Sequence, residues 1–175
     1  MRRMIGLVGL GLAIAAAGAG ASAQTSDAPA CAVAVAPPPG LEGWTTRTPL
    51  TAAADAARLD AAMLIPGKAV DAALARTPEV RYVTRPEKPG GSVSHGGLFA
   101  FDVTQAGTYR VALGAGAWID VLDGGKAVVS TSHGHGPDCS GIRKMVDFPL
   151  QPGRYVLQIG GNGTPDLSVM VARLP

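Results

Sequence analysis

The stretch FDVTQAGTYRVAL (residues 101–113), followed by AWIDVLDGGK (117–126) and LQPGRYVLQIGG (150–161), decides the fold class. Apolar residues alternate at every second position in each segment, and Gly, Pro, Asn and Asp cluster between them. That is the signature of short half-buried strands divided by turns. Phe99, Phe101 and Val103 share one strand face, as do Tyr109, Val111 and Leu113 on the next. Working outward, the same period covers residues 68–74, with Val70, Ala72 and Leu74 on one face, and then 80–84, 98–103, 127–130, 142–150, 154–159 and 167–174. The separators at 105–107, 114–116, 123–125, 151–153 and 160–163 carry turn chemistry, and Asn162-Gly163 reads as a hairpin turn. About eight such strands predict an all-β fold, an antiparallel, jelly-roll-like β-sandwich. Trp118, Met145, Phe148, Tyr155, Leu157 and Ile159 extend the expected core.

Upstream the composition changes. Residues 24–40 are rich in Ala and Pro and end in Pro37-Pro38-Pro39-Gly40, an extended arm. Trp44 and the Thr-rich run after it allow a strand, and Ala-rich residues 52–64 form either a short helix capped by Thr51 or an irregular connection. The expected division is a leader at 1–23, an arm and connecting segment at 24–65, and the sandwich at 66–175.

Residues 1–23 read as a secretory signal peptide. Arg2 and Arg3 form its positive start, residues 5–17 its apolar stretch, and Ala21-Ser22-Ala23 its cleavage pattern before Gln24. The apolar run is shorter than the roughly 20 residues of a membrane span. Acylation at Cys31 is disfavoured by the seven residues between it and Ala23. The expected location is periplasmic or secreted, with no membrane span after cleavage. Of 175 residues, 15 are Lys or Arg and 13 are Asp or Glu; losing Arg2 and Arg3 leaves 13 against 13. A formally neutral chain excludes nucleic-acid binding by bulk charge and a polybasic membrane mode. Export also favours pairing the two cysteines, Cys31 and Cys139, as a disulfide, over a role for Cys139 as nucleophile or metal ligand.

Over residues 98–174 the chain resembles the pre-peptidase C-terminal type of bacterial β-sandwich. That family has an apolar strand leading to G-x-Y, a strand–turn–strand with D-x-x-G, and a PG-x-Y hairpin. The resemblance implies a secreted accessory module without catalysis of its own. The loop at 132–141 departs from it. As a whole, with RPEKPGG (85–91) and HGHGPDCSG (133–141), the chain is similar to short secreted bacterial proteins labelled homogentisate 1,2-dioxygenase. That label implies oxygen chemistry at a metal. Dioxygenases of that name use two His and one Glu on iron, whereas Glu42, Glu79 and Glu87 all lie apart from the His loop in sequence.

The three histidines, His95, His133 and His135, supply the only imidazoles. An H-x-H pair in extended chain points both rings to one side. With Asp138 they form a candidate metal set for Cu, Zn or Fe. The alternative is that Gly134 and Gly136 shape a tight loop whose rings bond to backbone. Arg143 and Lys144 after that loop, and Arg85 in the Pro-bounded segment, are candidate binding residues for an anion. Ser94, Ser132 and Ser140 lie near a His, but there is no G-x-S-x-G elbow, Walker motif or C-x-x-C. Asp120 and Asp123 flank a turn, where Asp is expected structurally. The leading expectation is an exported binding or accessory protein of the envelope, with a protein, glycan or small anion as partner. A small His-ligated metalloprotein with dioxygenase-type activity and a purely structural module are the alternatives.

Overall fold

Alternating strands from two sheets close around one apolar core in the computed structural model, which describes residues 31–175. The leader at 1–23 and the arm residues 24–30 lie outside the described residues. Twelve strands run in chain order: β1 (Arg47–Thr51), β2 (Met63–Leu64), β3 (Ala69–Ala73), β4 (Ala75–Arg76), β5 (His95–Val103), β6 (Gly107–Leu113), β7 (Trp118–Asp123), β8 (Lys126–Ala127), β9 (Ser132–Gly134), β10 (Lys144–Leu150), β11 (Gly153–Asn162) and β12 (Asp166–Arg173). Eight of these have five residues or more; the other four are pieces of two or three. One sheet has the order β1-β3-β12-β6-β10-β9, the other β2-β5-β11-β7-β8 with β4 beside β5.

The period-two pattern sets which residues face inward. Val111 and Leu113, Val146 and Phe148, and Val169 and Val171 meet Phe99 and Phe101, Ile119 and Val121, and Leu157 and Ile159 in the main core. A second, smaller cluster lies on the opposite face of the first sheet. There Ala69, Ala112, Met170 and Ala172 are covered by Leu41, Trp44 and Ile142. Met145, expected in the core, packs against this outer cluster because it is one residue out of phase with Val146.

Other expectations are corrected. The sheets are mixed: β1 pairs β3 and β2 pairs β5 in parallel, so Arg47–Thr51 and Met63–Leu64 join the sheets. Between those strands the expected helix is only a 3-10 turn, Ala56–Ala61, capped by Asp55 rather than Thr51, whose apolar contribution is a half-buried Leu59. Residues 80–84 form no strand. The expected hairpins at 151–153 and 160–163 are arches between sheets, since β10 pairs β6 and β9 while β11 pairs β5 and β7. Two arches are clasped by the G-x-Y tyrosines: Tyr109 donates to the Gln105 carbonyl at 3.0 Å, and Tyr155 to that of Gln151 at 3.0 Å. Each hydroxyl reaches four residues back and holds the chain at the corner.

Candidate ligand-binding cleft

The sandwich is open along one side because its edge strands there are short. After the Gly124-Gly125 turn, whose φ angles of 52° and 83° suit glycine, β8 pairs only with Leu122 and Asp123. The last backbone bond on that edge runs from the Val128 N–H to the Val121 carbonyl at 2.8 Å. The chain then crosses to the other sheet, where the Thr131 N–H reaches the Asp147 carbonyl at 2.8 Å. Residues 118–120 of β7 pair with β11 on one side and have no strand on the other.

A cleft of about 330 Å³ lies at this gap. Ile119, Val146 and Phe148 form its apolar floor, and Val128 joins them from the crossing segment. Trp118, Asp120, Ser130, His133 and Lys144 make the polar rim. Trp118 was expected in the core, but it shares its strand face with Asp120 while Ile119 and Val121 point inward. Its indole is half-buried, and Nε1 donates to Asp120 Oδ1 at 2.9 Å.

Two ammonium groups flank this indole. Lys88 Nζ is 5.3 Å and Lys144 Nζ 5.6 Å from the ring centroid, both within cation–π range. Lys144 Nζ donates to the Ala117 carbonyl at 2.8 Å. Burial, and then repulsion from Lys88, push the Lys144 ammonium below its ordinary pKa, with Asp120 opposing. Burial pushes the Asp120 carboxyl up; hydrogen bonds from Trp118 and Gln158 oppose this, Glu87 adds to it and Lys144 offsets it. A second cavity of about 330 Å³ shares Trp118 and Lys144 and is otherwise lined by Lys88, Gly90, Gly116, Gly160 and Gly161.

Lys88 reaches the site on a strap that crosses the outer face of the second sheet. The fully buried Gln158 holds this strap: its Oε1 accepts the Val83 and Thr84 N–H groups at 2.8 and 3.2 Å, and its Nε2 donates to the Thr84 carbonyl at 2.9 Å. Tyr82 donates to the Ile159 carbonyl, and the Gly161 N–H to that of Pro89.

The expected site residues are distributed unevenly. Lys144 and His133 line the cleft. His135, Asp138 and Arg143 line a separate cavity of about 310 Å³ in the 135–143 loop, where His135 Nδ1 sits 2.7 Å from the Arg143 carbonyl. Arg85 is exposed on the strap. His95 lies at the head of β5 in the second sheet, its Nδ1 buried without a hydrogen-bond partner. His95, His133 and His135 do not converge, and among the described residues no group of three or more His, Cys, Asp and Glu is placed to hold a metal ion.

The His loop is pinned as a structural unit. Cys139 forms the disulfide with Cys31, its carbonyl accepts the Val35 N–H at 3.1 Å, and the Ser140 carbonyl accepts from Trp44 Nε1 at 3.1 Å. Gly136 is required there, since a Cβ would stand 2.5 Å from that of Ile142. Sequence reasoning did not bring Lys88, Trp118 and Asp120 together at one place. The available signal was the phase of β7, which puts the indole on the polar face.

No protein-family model matches the chain, and no curated protein matches it. Among solved structures it is similar to the pre-peptidase C-terminal domain of a collagenase from Bacillus anthracis. That likeness has 12% identity, covers 63% of this chain and 92% of the other, and has a TM-score of 0.38.

Proposed function

We propose that this chain is an exported binding protein of the cell envelope, and that its ligand surface is the cleft beside Trp118. One observation carries the reading: a cleft with an apolar floor lies beside an indole flanked by two lysines, on the side where the sandwich lacks a covering strand. Apolar walls with a few convergent polar groups are what small-molecule sites require. The charged forms of Asp120 and Lys144 are both disfavoured by burial, a cost in stability that packing alone does not call for. Export is supported by the leader and by a disulfide, which persists in oxidising compartments.

Two measurements test this. Mature protein recovered from the envelope fraction should begin at Gln24; recovery from the cytoplasm with its leader intact would overturn export. In a thermal-shift panel of small acids, sugars and short peptides, some compounds should raise the Tm of the wild type. They should fail with Ser130→Trp, which fills the cleft from an exposed rim position. Equal shifts in both proteins would remove the cleft as the ligand surface.

A further inference from the structure

We propose that Lys88 and Lys144 together seat a carboxylate beside Trp118, with the compact apolar group that carries it lodged on Ile119, Val146 and Phe148. The inference rests on the reading of the cleft as the ligand surface and names the chemistry that the surface selects. Two ammonium groups are brought within 6 Å of one ring centroid, and neither makes an ion pair among the described residues. All four ion pairs recorded there use arginine instead. Like charges held together repel, and the strap that keeps Lys88 in place is fixed by the buried Gln158. An anion between the two lysines turns that repulsion into attraction on both sides. The bond from Lys144 to the Ala117 carbonyl orients its ammonium and leaves two N–H donors for a ligand.

A single negative charge fits better than a double one. Asp120 is on the cleft rim, and Glu87 is close enough to act on its titration. A phosphate dianion would meet both carboxylates, whereas one carboxylate is matched by the lysine pair. Trp118 and Lys144 line both cavities, so one ligand can hold its charge in the glycine-lined cavity and its apolar group in the cleft. A 150 Å³ cavity holds benzene, so the cleft suits an acid of on the order of ten heavy atoms. Gly116 leaves the mouth of the glycine-lined cavity bare: a Cβ there meets nothing within 4 Å.

The two tryptophans give two indole N–H signals in a ¹⁵N–¹H spectrum, assigned through a Trp118→Phe variant, with the buried Trp44 as internal control. Titrated with hexanoate, the oxidised mature protein should shift the Trp118 signal and leave that of Trp44 in place. Hexanamide and inorganic phosphate should shift neither. Lys88→Gln and Lys144→Gln should each weaken hexanoate about tenfold, the scale of one charge-assisted hydrogen bond. Gly116→Leu should abolish binding with Tm unchanged. If Lys144→Gln fails to fold because Ala117 loses its donor, the exposed Lys88→Gln and Gly116→Leu still decide the matter. A three-residue peptide acetylated at its N-terminus and ending in a free leucine carboxylate separates the sources. Tighter binding than hexanoate assigns the seat to a chain terminus, and weaker binding to a free acid. Equal binding of hexanamide, or of phosphate, overturns the carboxylate seat while leaving the cleft as ligand surface. A Trp118 signal unmoved by every probe overturns both.

Discussion

Asp120 holds its carboxylate where water is half excluded, one hydrogen bond from the indole whose placement defines the cleft. Its folded pKa is raised above the unfolded value, chiefly by burial. The sign follows: its contribution to stability is fully present below the unfolded pKa and is lost as pH rises through the folded one. Asp120→Asn keeps an acceptor for Trp118 Nε1 and removes the charge. It should stabilise the protein by about 0.5 kcal/mol at about pH 7, a value reduced by solvent screening, and by nothing at about pH 3. Urea unfolding at the two pH values checks this, and equal gains at both would show that charge burial is not the cause. At this scale the sequence was legible wherever phase alone decides burial, as at Phe99, Phe101, Tyr109 and Val111. It was misread at Trp118 and Met145, where residue type suggested core and strand phase placed the side chains on an outer face.

Among the elements, the strap over residues 80–90 shows why turn and strand signals specify local shape better than partners. Val80, Tyr82 and Thr84 alternate as a strand would, yet a single side chain of β11 takes the place of a neighbouring backbone. The separators at 105–107 and 151–153 were legible as turns. Their composition does not say whether the chain returns to the same sheet or crosses to the other. The tyrosine clasps mark the crossing. The lysine pair was hidden for the same reason, since Lys88 and Lys144 meet only once the strap has a partner. Gln158→Leu preserves volume but leaves the Val83 and Thr84 N–H groups without their acceptor. It should cost about 2 kcal/mol, within the usual penalty for unpaired buried groups. Amide hydrogen exchange should show protection lost at Val83 and Thr84 while β5 and β7 keep theirs. Retained protection at both amides would mean that contacts other than Gln158 hold the strap.

For the whole molecule, two cysteines behind an expected export leader made the Cys31–Cys139 pairing legible, while the surface it closes over was not. The outer cluster assembles residues from five distant stretches: Leu41 and Trp44 ahead of β1, Ala69 from β3, Ala112 from β6, Ile142 after the His loop, and Met170 and Ala172 from β12. No local period links them. The disulfide spans 108 residues with a Cα–Cα distance of 5.5 Å, so it closes a loop around most of the sandwich. In the chain-entropy account a loop of about 100 residues stabilises by up to about 4.7 kcal/mol. The Cys31→Ser/Cys139→Ser variant should therefore lose about 3 kcal/mol, and its Tm should fall by on the order of 10 °C. Local order should respond differently from global stability. The Val35–Cys139 bond is the backbone hydrogen bond recorded between residues 32–36 and the loop, and those residues are exposed, so they should fray. Trp44 is held separately by its bond to the Ser140 carbonyl and by burial in the outer cluster. Its indole N–H should stay protected from exchange in the variant. A Tm unchanged by the substitution would refute the loop-entropy account. Loss of Trp44 protection under native conditions would instead make the disulfide the fastener of the outer cluster, acting on the folded state rather than on the unfolded chain.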